Sequence, residues 1–357
     1  MILYYSAFAF FTLLYYIAEK KQRNYLLWIV AIFAPVLFEG LREETVGEDM
    51  LGYGASWFYE MNEKSNIKDV ILNARTPEYA YHLMLYFCKK MSSDIHFYMT
   101  VAAFIKIICV YYTAYYFRKQ ISSTFFIVTY FLFFYVEGFS MMRQSIADAI
   151  CILSLIPLVS RSILKFIGCV AVAYFFHNSG IFMLVMLPIG LMRNLRYKYV
   201  YHLVFAGILY GSVSVLLSSL INTPIFKEGI AEHYLNSGVV VQKYNILITI
   251  CVLLFALYIH FSKKEKRNNE IYFMTVCAIY TLTFLFLASY VEVAHRVSYY
   301  TFIPIMFLLA FFMKSGKKKS DRHFFITAFL IIYIVGFYFQ WKHGLNGSDV
   351  YKTIITL

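Results

Sequence analysis

Apolar runs of roughly the length of a membrane-spanning helix follow one another along most of the chain. A helix needs about 20 apolar residues to cross the hydrocarbon core of a bilayer, with about 17 to 25 usual. The pattern therefore predicts an all-α polytopic integral membrane protein with about 12 transmembrane helices, in a range of about 10 to 13. The predicted spans are 2–18, 24–39, 95–117, 122–138, 143–160, 162–177, 178–193, 198–220, 243–261, 270–290, 297–313 and 323–341.

Short clusters of lysine and arginine separate the apolar runs. Lys20, Lys21 and Arg23 place the first connection in the cytoplasm, because cytoplasmic connections carry an excess of basic residues. When the spans alternate from there, the other clusters fall on the same side: Arg118–Lys119, Arg161 with Lys165, Arg193 to Lys198, Lys263 to Arg267 and Lys317 to Lys319. The alternation predicts that both termini lie on the outer side.

Two longer connections, about 40–94 and about 221–242, also fall on the predicted outer side. Residues 78–90 are too short for a thirteenth span, and their pattern predicts an amphipathic helix on the outer surface. Neither connection is long enough for a soluble domain of its own. The sequence therefore predicts a single membrane domain that covers residues 1–357.

Composition agrees with the membrane class. Hydrophobic residues make up 61% of the chain and charged residues 15%, which excludes an ordinary soluble domain. The formal net charge of +12 does not indicate nucleic-acid binding, because the basic residues lie in the connections and form no basic face. The six cysteines are scattered singly, so neither a metal site nor a disulfide framework is predicted. Without a P-loop, HExxH or GxSxG motif, ATP-driven transport and the common hydrolase chemistries have no support.

Three arginines, Arg42, Arg143 and Arg296, lie at predicted outer ends of spans. A guanidinium binds phosphate bidentately, so together they indicate an anion site on the outer face. Arg143 and Arg296 begin helices, where a positive charge opposes the helix dipole and needs another reason to be present.

The arginines also have structural interpretations. Arg42 would extend to the membrane interface or pair with a nearby acid such as Glu43. Arg143 would form an ion pair with Asp148 or Glu137 that fixes only helix packing. The sequence leaves these alternatives open.

Two further ionisable residues, His177 and Lys106, lie at or within predicted spans. His177 joins the short spans 162–177 and 178–193, where the chain could form a re-entrant dip. An imidazole titrates near physiological pH and suits a general base, although the same segment could serve as a helix cap. Lys106 needs a buried partner that the sequence does not identify.

Four segments, in this order and spacing, resemble motifs of the EpsG/Wzy family of bacterial polysaccharide polymerases. They are GLREETVGEDMLGY, MMRQSIADAI, FFHNSGI and HRVSYYTFIP. The matching positions are Arg42, Gly47, Asp49 and Tyr53; Met142, Arg143, Gln144 and Ala147; Phe176, His177 and Ser179; and Arg296, Tyr299 and Tyr300. Glu48 stands where that family more usually has threonine.

The resemblance implies a glycosyltransferase that joins undecaprenyl-diphosphate-linked oligosaccharide units at the outer face of the bacterial cytoplasmic (inner) membrane. The product would be O-antigen, capsule or exopolysaccharide. The resemblance also implies a GT-C-like helical bundle in the phospholipid bilayer that needs no metal or other cofactor. A separate chain-length regulator is the partner that such systems usually have.

Site roles follow from the same resemblance. Arg143 and Arg296 are predicted to bind the diphosphate, and His177 is predicted to be the base. The predicted substrate-binding residues are Arg42, Asp49, Tyr53, Gln144, His295 and Tyr299. The rings of Tyr53, Trp57 and Tyr59 could stack on sugars, although anchoring at the membrane interface explains them nearly as well.

Other membrane functions share this topology. A lipid-linked oligosaccharide flippase or other transporter, a glycan ligase, a membrane acyltransferase and a non-catalytic scaffold are the alternatives. Transporters usually show internal repeats and polar residues near the bilayer midplane. The polar clusters here lie at helix ends and no repeat is visible, which favours the polymerase.

Overall fold

The computed structural model describes residues 1–47, 49–61, 66–221, 243–261, 268–289, 292–315, 319–342 and 351–353. The α-helices are α1 (Ile2–Lys20), α2 (Tyr25–Gly40), α3 (Ser56–Glu60), α4 (Ile67–Leu72), α5 (Tyr79–Met91), α6 (Ile95–Tyr116), α7 (Ser123–Tyr130), α8 (Glu137–Ser140), α9 (Met142–Val159), α10 (Ile163–Phe176), α11 (Met186–Met192), α12 (Lys198–Ile221), α13 (Lys243–Phe261), α14 (Asn268–Leu287), α15 (Glu292–Ser315) and α16 (Lys319–Lys342). Within the described ranges there is no β-strand, only an isolated bridge between Arg42 and Thr353.

Each predicted span overlaps a helix of the structure. Among the described residues, six helices are long and apolar enough to cross a membrane: Ile2–Lys20, Ile95–Tyr116, Met142–Val159, Tyr244–Phe261, Asn269–Leu287 and Ala294–Lys314. Shorter apolar helices occupy Tyr25–Gly40, Ser123–Tyr135, Ile163–Phe176, Asn178–Met192 and Thr327–Phe339. The prediction of an all-α multi-pass membrane protein is confirmed. The predicted connection 221–242 lies almost wholly outside the described residues.

The chain divides into two compact units. The first contains Met1–Ile181 and Leu309–Leu357, and the second contains Phe182–Leu308.

In the first unit, α2 packs on α1 and α6, and α9 packs on α6 and α10. The end of α2 approaches α6 closely at Gly40, where a Cβ atom would lie 2.9 Å from the Thr100 Cα atom. Aromatic side chains fill the interior near α1, where the rings of Phe8 and Phe131 stack with their centroids 5.6 Å apart. Close packing of this kind fixes the ends of the helices that carry the predicted site.

Contacts in the first unit agree with the predicted alternation of spans. Glu19 at the end of α1 accepts a hydrogen bond from the Ser123 hydroxyl at the start of α7. The Lys314 ammonium donates to the carbonyl of Arg118, and all these positions belong to the predicted cytoplasmic side. At the predicted outer side, the Tyr351 hydroxyl donates to the Phe38 carbonyl over 2.7 Å. Helix ends that the sequence assigns to one side therefore lie together.

The predicted spans 162–177 and 178–193 are not two regular α-helices. After α10 the chain forms a 3₁₀-helix over Asn178–Val185 and continues into α11. A Cβ atom at Gly180 would lie 2.9 Å from the Ala173 carbonyl carbon, so the missing side chain permits the return of the chain against α10. This close return makes a tight junction directly after His177.

In the second unit, α14 packs on α12 and α13. The buried imidazole of His202 lies between two tyrosine hydroxyls, 2.7 Å from that of Tyr272 and 2.9 Å from that of Tyr280. Tyr272 donates its own proton to the Ile189 carbonyl, so its oxygen accepts from His202 Nε2. His202 Nδ1 then accepts from Tyr280, and this buried polar group is satisfied within the unit.

Candidate functional site: a carboxylate between an arginine and a histidine

The first motif folds as a tight loop that is fixed against the start of the second. Gly47 has φ +103°, and a Cβ atom there would lie 2.6 Å from the Phe139 carbonyl oxygen, so the position requires glycine. The Asp49 backbone N–H donates to the Ser140 hydroxyl over 3.1 Å. A π-helix over Met50–Ala55 then leads directly into α3. The loop thereby holds residues 50–60 beside the N-terminus of α9.

Arg42 lies in the interior, where its guanidinium binds backbone carbonyls. It donates to the carbonyls of Glu39 over 2.6 Å, Phe139 over 2.9 Å and Val46 over 3.4 Å. It also lies 4.7 Å from the centre of the Phe139 ring. The side chain has no exposed surface with which to contact a substrate. The predicted substrate-binding role of Arg42 is therefore not supported by its geometry, which fits a residue that fixes the loop.

Lys106 has the buried partner that the sequence left unidentified. Its ammonium donates to the Glu39 carboxylate, and the Arg42 guanidinium lies 3.9 Å from the same carboxylate oxygen. Lys106 also interacts electrostatically with Asp148. We call Glu39, Arg42 and Lys106 the Glu39 cluster. Buried charges need such pairing, because an isolated ion inside a protein is very unfavourable.

Two of the predicted catalytic residues meet on a third residue, Glu78. The Arg143 guanidinium, in the first turn of α9, donates to Glu78 Oε2 over 2.5 Å. His177 Nδ1, at the end of α10, lies 2.5 Å from Glu78 Oε1. The backbone N–H of Asn178 donates to the same oxygen over 3.4 Å. We call Glu78, Arg143 and His177 the Glu78 cluster.

The Glu78 carboxylate is ionised. Burial raises its pKa, but the hydrogen bond from His177 and the charge of Arg143 outweigh burial and lower the pKa to about 2. An ionised carboxylate only accepts hydrogen bonds, so Nδ1 of His177 carries a proton. The neutral imidazole then has Nε2 as its basic nitrogen.

Aromatic rings surround the Arg143 guanidinium. Its central carbon lies 4.9 Å from the ring centre of Trp57, 5.1 Å from that of Tyr53 and 5.9 Å from that of Tyr81. Contacts of this kind attract a cation to the ring and restrict the orientation of the guanidinium. The predicted site residue Tyr53 is thus beside Arg143, although the two are far apart in sequence.

A second histidine lies behind Trp57. The His82 ring stacks on the Trp57 ring with a centroid distance of 5.0 Å and an interplanar angle of 18°. Burial lowers the pKa of His82, which favours its neutral form. Thr76 donates to Glu78 Oε2 over 3.2 Å, and its hydroxyl lies 3.2 Å from His82 Nε2. Thr76 therefore links His82 to the Glu78 cluster.

The remaining predicted site residues lie in two places. Asp49 is partly buried beside Ser140, and Gln144 is buried next to Arg143. In the second unit, Arg296 is partly exposed near the start of α15, and the buried His295 lies 3.2 Å from the Tyr299 hydroxyl through its Nε2. The roles of these residues stay predictions.

Sequence reasoning missed Glu78. In the sequence it is one of several acids in the connection 40–94. One signal was present, because Glu78 immediately precedes α5 and a carboxylate is favoured at a helix N-terminus. The sequence alternatives for Arg143 named other acids, Asp148 and Glu137, which are near it in sequence. The partner is 65 residues away instead.

Comparison with known proteins adds one finding. A family model described as the EpsG family matches residues 25–352, which includes all four motifs. No curated protein and no solved structure matches the chain, so the predicted GT-C-like arrangement stays a prediction. Membership of this family supports a polysaccharide-polymerase-like role in general. With the match covering most of its length, the chain belongs to the EpsG family.

Proposed function

We propose that this protein is a glycosyltransferase that polymerises undecaprenyl-diphosphate-linked oligosaccharide units at the outer face of the cytoplasmic membrane. The observation that carries the proposal is the Glu78 cluster. It joins a base and a cation through one ionised carboxylate, at the helix ends where the sequence predicts the outer side. Glycosyl transfer from a lipid diphosphate needs both groups, a base for the acceptor and a cation for the leaving group.

His177 acts as the base in this proposal. A hydroxyl oxygen of the acceptor unit attacks the anomeric carbon of the donor glycan, and the hydroxyl proton passes to His177 Nε2. The resulting imidazolium is stabilised by Glu78, which also fixes the tautomer and the orientation of the ring. The proton then leaves to solvent, and His177 returns to its neutral form.

Arg143 receives the leaving group. As the bond from the anomeric carbon to the diphosphate oxygen breaks, the bonding electrons stay with the diphosphate, which leaves on its lipid. A guanidinium has five N–H donors, so Arg143 is able to bind phosphate oxygens while it keeps its hydrogen bond to Glu78. The rings of Tyr53, Trp57 and Tyr81 hold this cation in place before the reaction, which reduces the reorganisation that catalysis requires.

The glycan profile of cells that lack this gene tests the function. We expect surface glycan with a single repeat unit and no ladder, restored to a full ladder by the wild-type gene. Loss of even the single unit would identify a flippase. Long chains that remain on the lipid carrier would identify a ligase, and an unchanged ladder would contradict every function in this pathway.

A matched pair of histidine variants tests the proposed base. His96 also contacts a carboxylate through Nδ1, 2.8 Å from Asp94, but no arginine among the described residues shares that contact. We expect His177→Gln to abolish the ladder and His96→Gln to leave it intact, with both proteins inserted at wild-type amounts. Equal ladders from the two variants would exclude His177 as the base.

A further inference from the structure

A cleft of about 270 Å³ lies beside the Glu78 cluster. Helices α3, α4 and α5 and the turn after α4 contribute its walls. The aromatic and polar residues that line it are Trp57, Glu60, Asp69, Asn73, Arg75 and His82. Small-molecule sites usually start at about 300 Å³, so this volume suits roughly one sugar ring.

Trp57 and Thr76 connect the cleft to the proposed reaction centre. Trp57 lines the cleft, and its ring also contacts the Arg143 guanidinium. His82 lines the cleft as well, and it is linked to the carboxylate of Glu78 through Thr76. A group in the cleft would therefore lie one side chain away from Glu78 and Arg143.

The polar lining suits hydroxyl groups. Carboxylates accept several hydrogen bonds each, and a sugar ring presents several hydroxyl donors. Asn73 donates its amide N–H to the Asp69 carbonyl over 2.9 Å, which orients the amide oxygen as an acceptor. Glu60 and Arg75 form an ion pair in which both side chains are more than half exposed, so their remaining hydrogen-bonding capacity is accessible.

The charge of the lining discriminates between sugars. Glu60 and Asp69 are acidic and Arg75 is basic, while burial lowers the pKa of His82 and favours its neutral form. The net charge is therefore about −1, which repels carboxylate-bearing sugars and accepts neutral or amino sugars. Stacking on Trp57 contributes little, because its ring already contacts His82 and Arg143.

We infer that this cleft binds one neutral sugar of the repeat unit, a hexose or an N-acetylamino sugar, and thereby helps to select the glycan that is polymerised. The assignment of that sugar to a repeat unit rests on the proposed function, whereas sugar binding itself does not. Asn73 and Glu60 act as specificity-determining residues through hydrogen bonds to ring hydroxyls.

Binding of simple glycosides to the full-length protein in nanodiscs tests the inference. The probes are the methyl glycosides of glucose, galactose, N-acetylglucosamine and glucuronic acid, detected by saturation-transfer NMR. We expect at least one neutral glycoside to bind and the glucuronide not to bind. Asn73→Ala and Glu60→Gln should each weaken binding by about tenfold, the typical effect of one charged or well-placed hydrogen bond. Lys68→Ala, an exposed cation on α4 outside the cleft, is the matched control.

A kinetic measurement gives a second test. With the lipid-linked repeat unit of the host strain as substrate, Asn73→Ala should raise KM several-fold with little change in kcat, because it removes binding that is equal in the ground and transition states. An unchanged KM, the absence of neutral-glycoside binding, or preferential binding of the glucuronide would each overturn the inference.

The two proposals fail separately. His177→Gln should still bind glycosides although it makes no polymer. Suppose that glycoside binding depends on Asn73 but deletion of the gene leaves the ladder unchanged. The sugar site would then stand, and the polymerase proposal would be rejected. If the ladder is lost in His177→Gln but the wild-type protein binds no glycoside, the polymerase proposal stands and the sugar site is rejected.

Discussion

The Glu39 cluster and the Glu78 cluster have the same arrangement, in which one carboxylate contacts two basic side chains. Both clusters lie in the first unit. They differ in exposure. The side chains of Glu39 and Arg42 are 0% exposed and that of Lys106 is 1% exposed, whereas those of Arg143 and His177 are 17% and 15% exposed.

Burial decides what each cluster is able to do. The donors of Arg42 bind carbonyls of the protein itself, so the Glu39 cluster connects α2 to α6 and to Phe139 in α8. In the Glu78 cluster the carboxylate is buried while the basic groups reach the surface. An arginine in a family motif is therefore not by itself a ligand for substrate.

The largest expected effect is the loss of Glu39. Glu39→Ala leaves two buried cations without their carboxylate, and removal of one partner of a buried ion pair costs about 3–5 kcal/mol. We expect little folded protein in the membrane, measured by abundance and by thermal unfolding in detergent. The control is Glu60→Ala, because the exposed Glu60–Arg75 pair should contribute about 0–1 kcal/mol. Equal stability of the two variants would contradict a structural role for the Glu39 cluster.

Arg143 should affect activity more than folding, because Glu78 keeps its hydrogen bond to His177 when Arg143 is removed. Arg143→Ala removes the cation that we propose acts on the leaving diphosphate, and we expect the rate of polymerisation per inserted protein molecule to fall by about 10²–10³-fold. Arg143→Lys should also be poor, because lysine cannot reproduce bidentate contact with phosphate. Rates measured on purified protein, with Lys68→Ala as the exposed control, check both results. Full activity of Arg143→Lys would mean that only a point charge is required.

Glu78→Gln should have a smaller effect on the rate. The amide keeps the shape of the side chain but removes the charge that stabilises a protonated His177. Loss of a carboxylate that orients a histidine costs about 10–100-fold in metal sites, and we expect a similar loss here. The rate of polymerisation relative to Asp94→Asn, the corresponding change beside His96, is the measurement. A wild-type rate would remove Glu78 from the mechanism.

The pH dependence of stability gives the smallest effect. Because the pKa of Glu78 is lowered from its usual value near 4.5 to about 2, ionised Glu78 stabilises the folded protein above pH 4.5. That stabilisation is lost as the pH falls from 4.5 towards 2. The difference in Tm between wild type and Glu78→Gln should thus narrow as the pH falls from 4.5 towards 2. A constant difference down to pH 3 would show that the charge of Glu78 contributes no stability.

Much of the fold was predictable because it depends on local hydrophobicity. Apolar runs of sufficient length form helices in a membrane whatever their neighbours, since every backbone hydrogen bond is then made within the segment. Basic connections also predicted which helix ends lie together, as the contacts of Glu19 with Ser123 and of Lys314 with Arg118 agree. The structure differs from the predicted span 178–193 directly after His177, where Gly180 lets the chain approach α10 closely. A hydrophobic pattern does not reveal such a close approach.

The sequence by itself determined the membrane class, the positions of the helices and the chemical character of Arg143 and His177. Only the tertiary structure decided the partners: Glu78 for these two residues, and Glu39 for Lys106. The physical reason is distance along the chain. These contacts join residues 65, 99 and 67 positions apart, and a charge finds its partner through the packing of helices, which leaves no periodic signal in one sequence. Burial, which separates Arg42 from Arg143, is likewise a property of the packed protein.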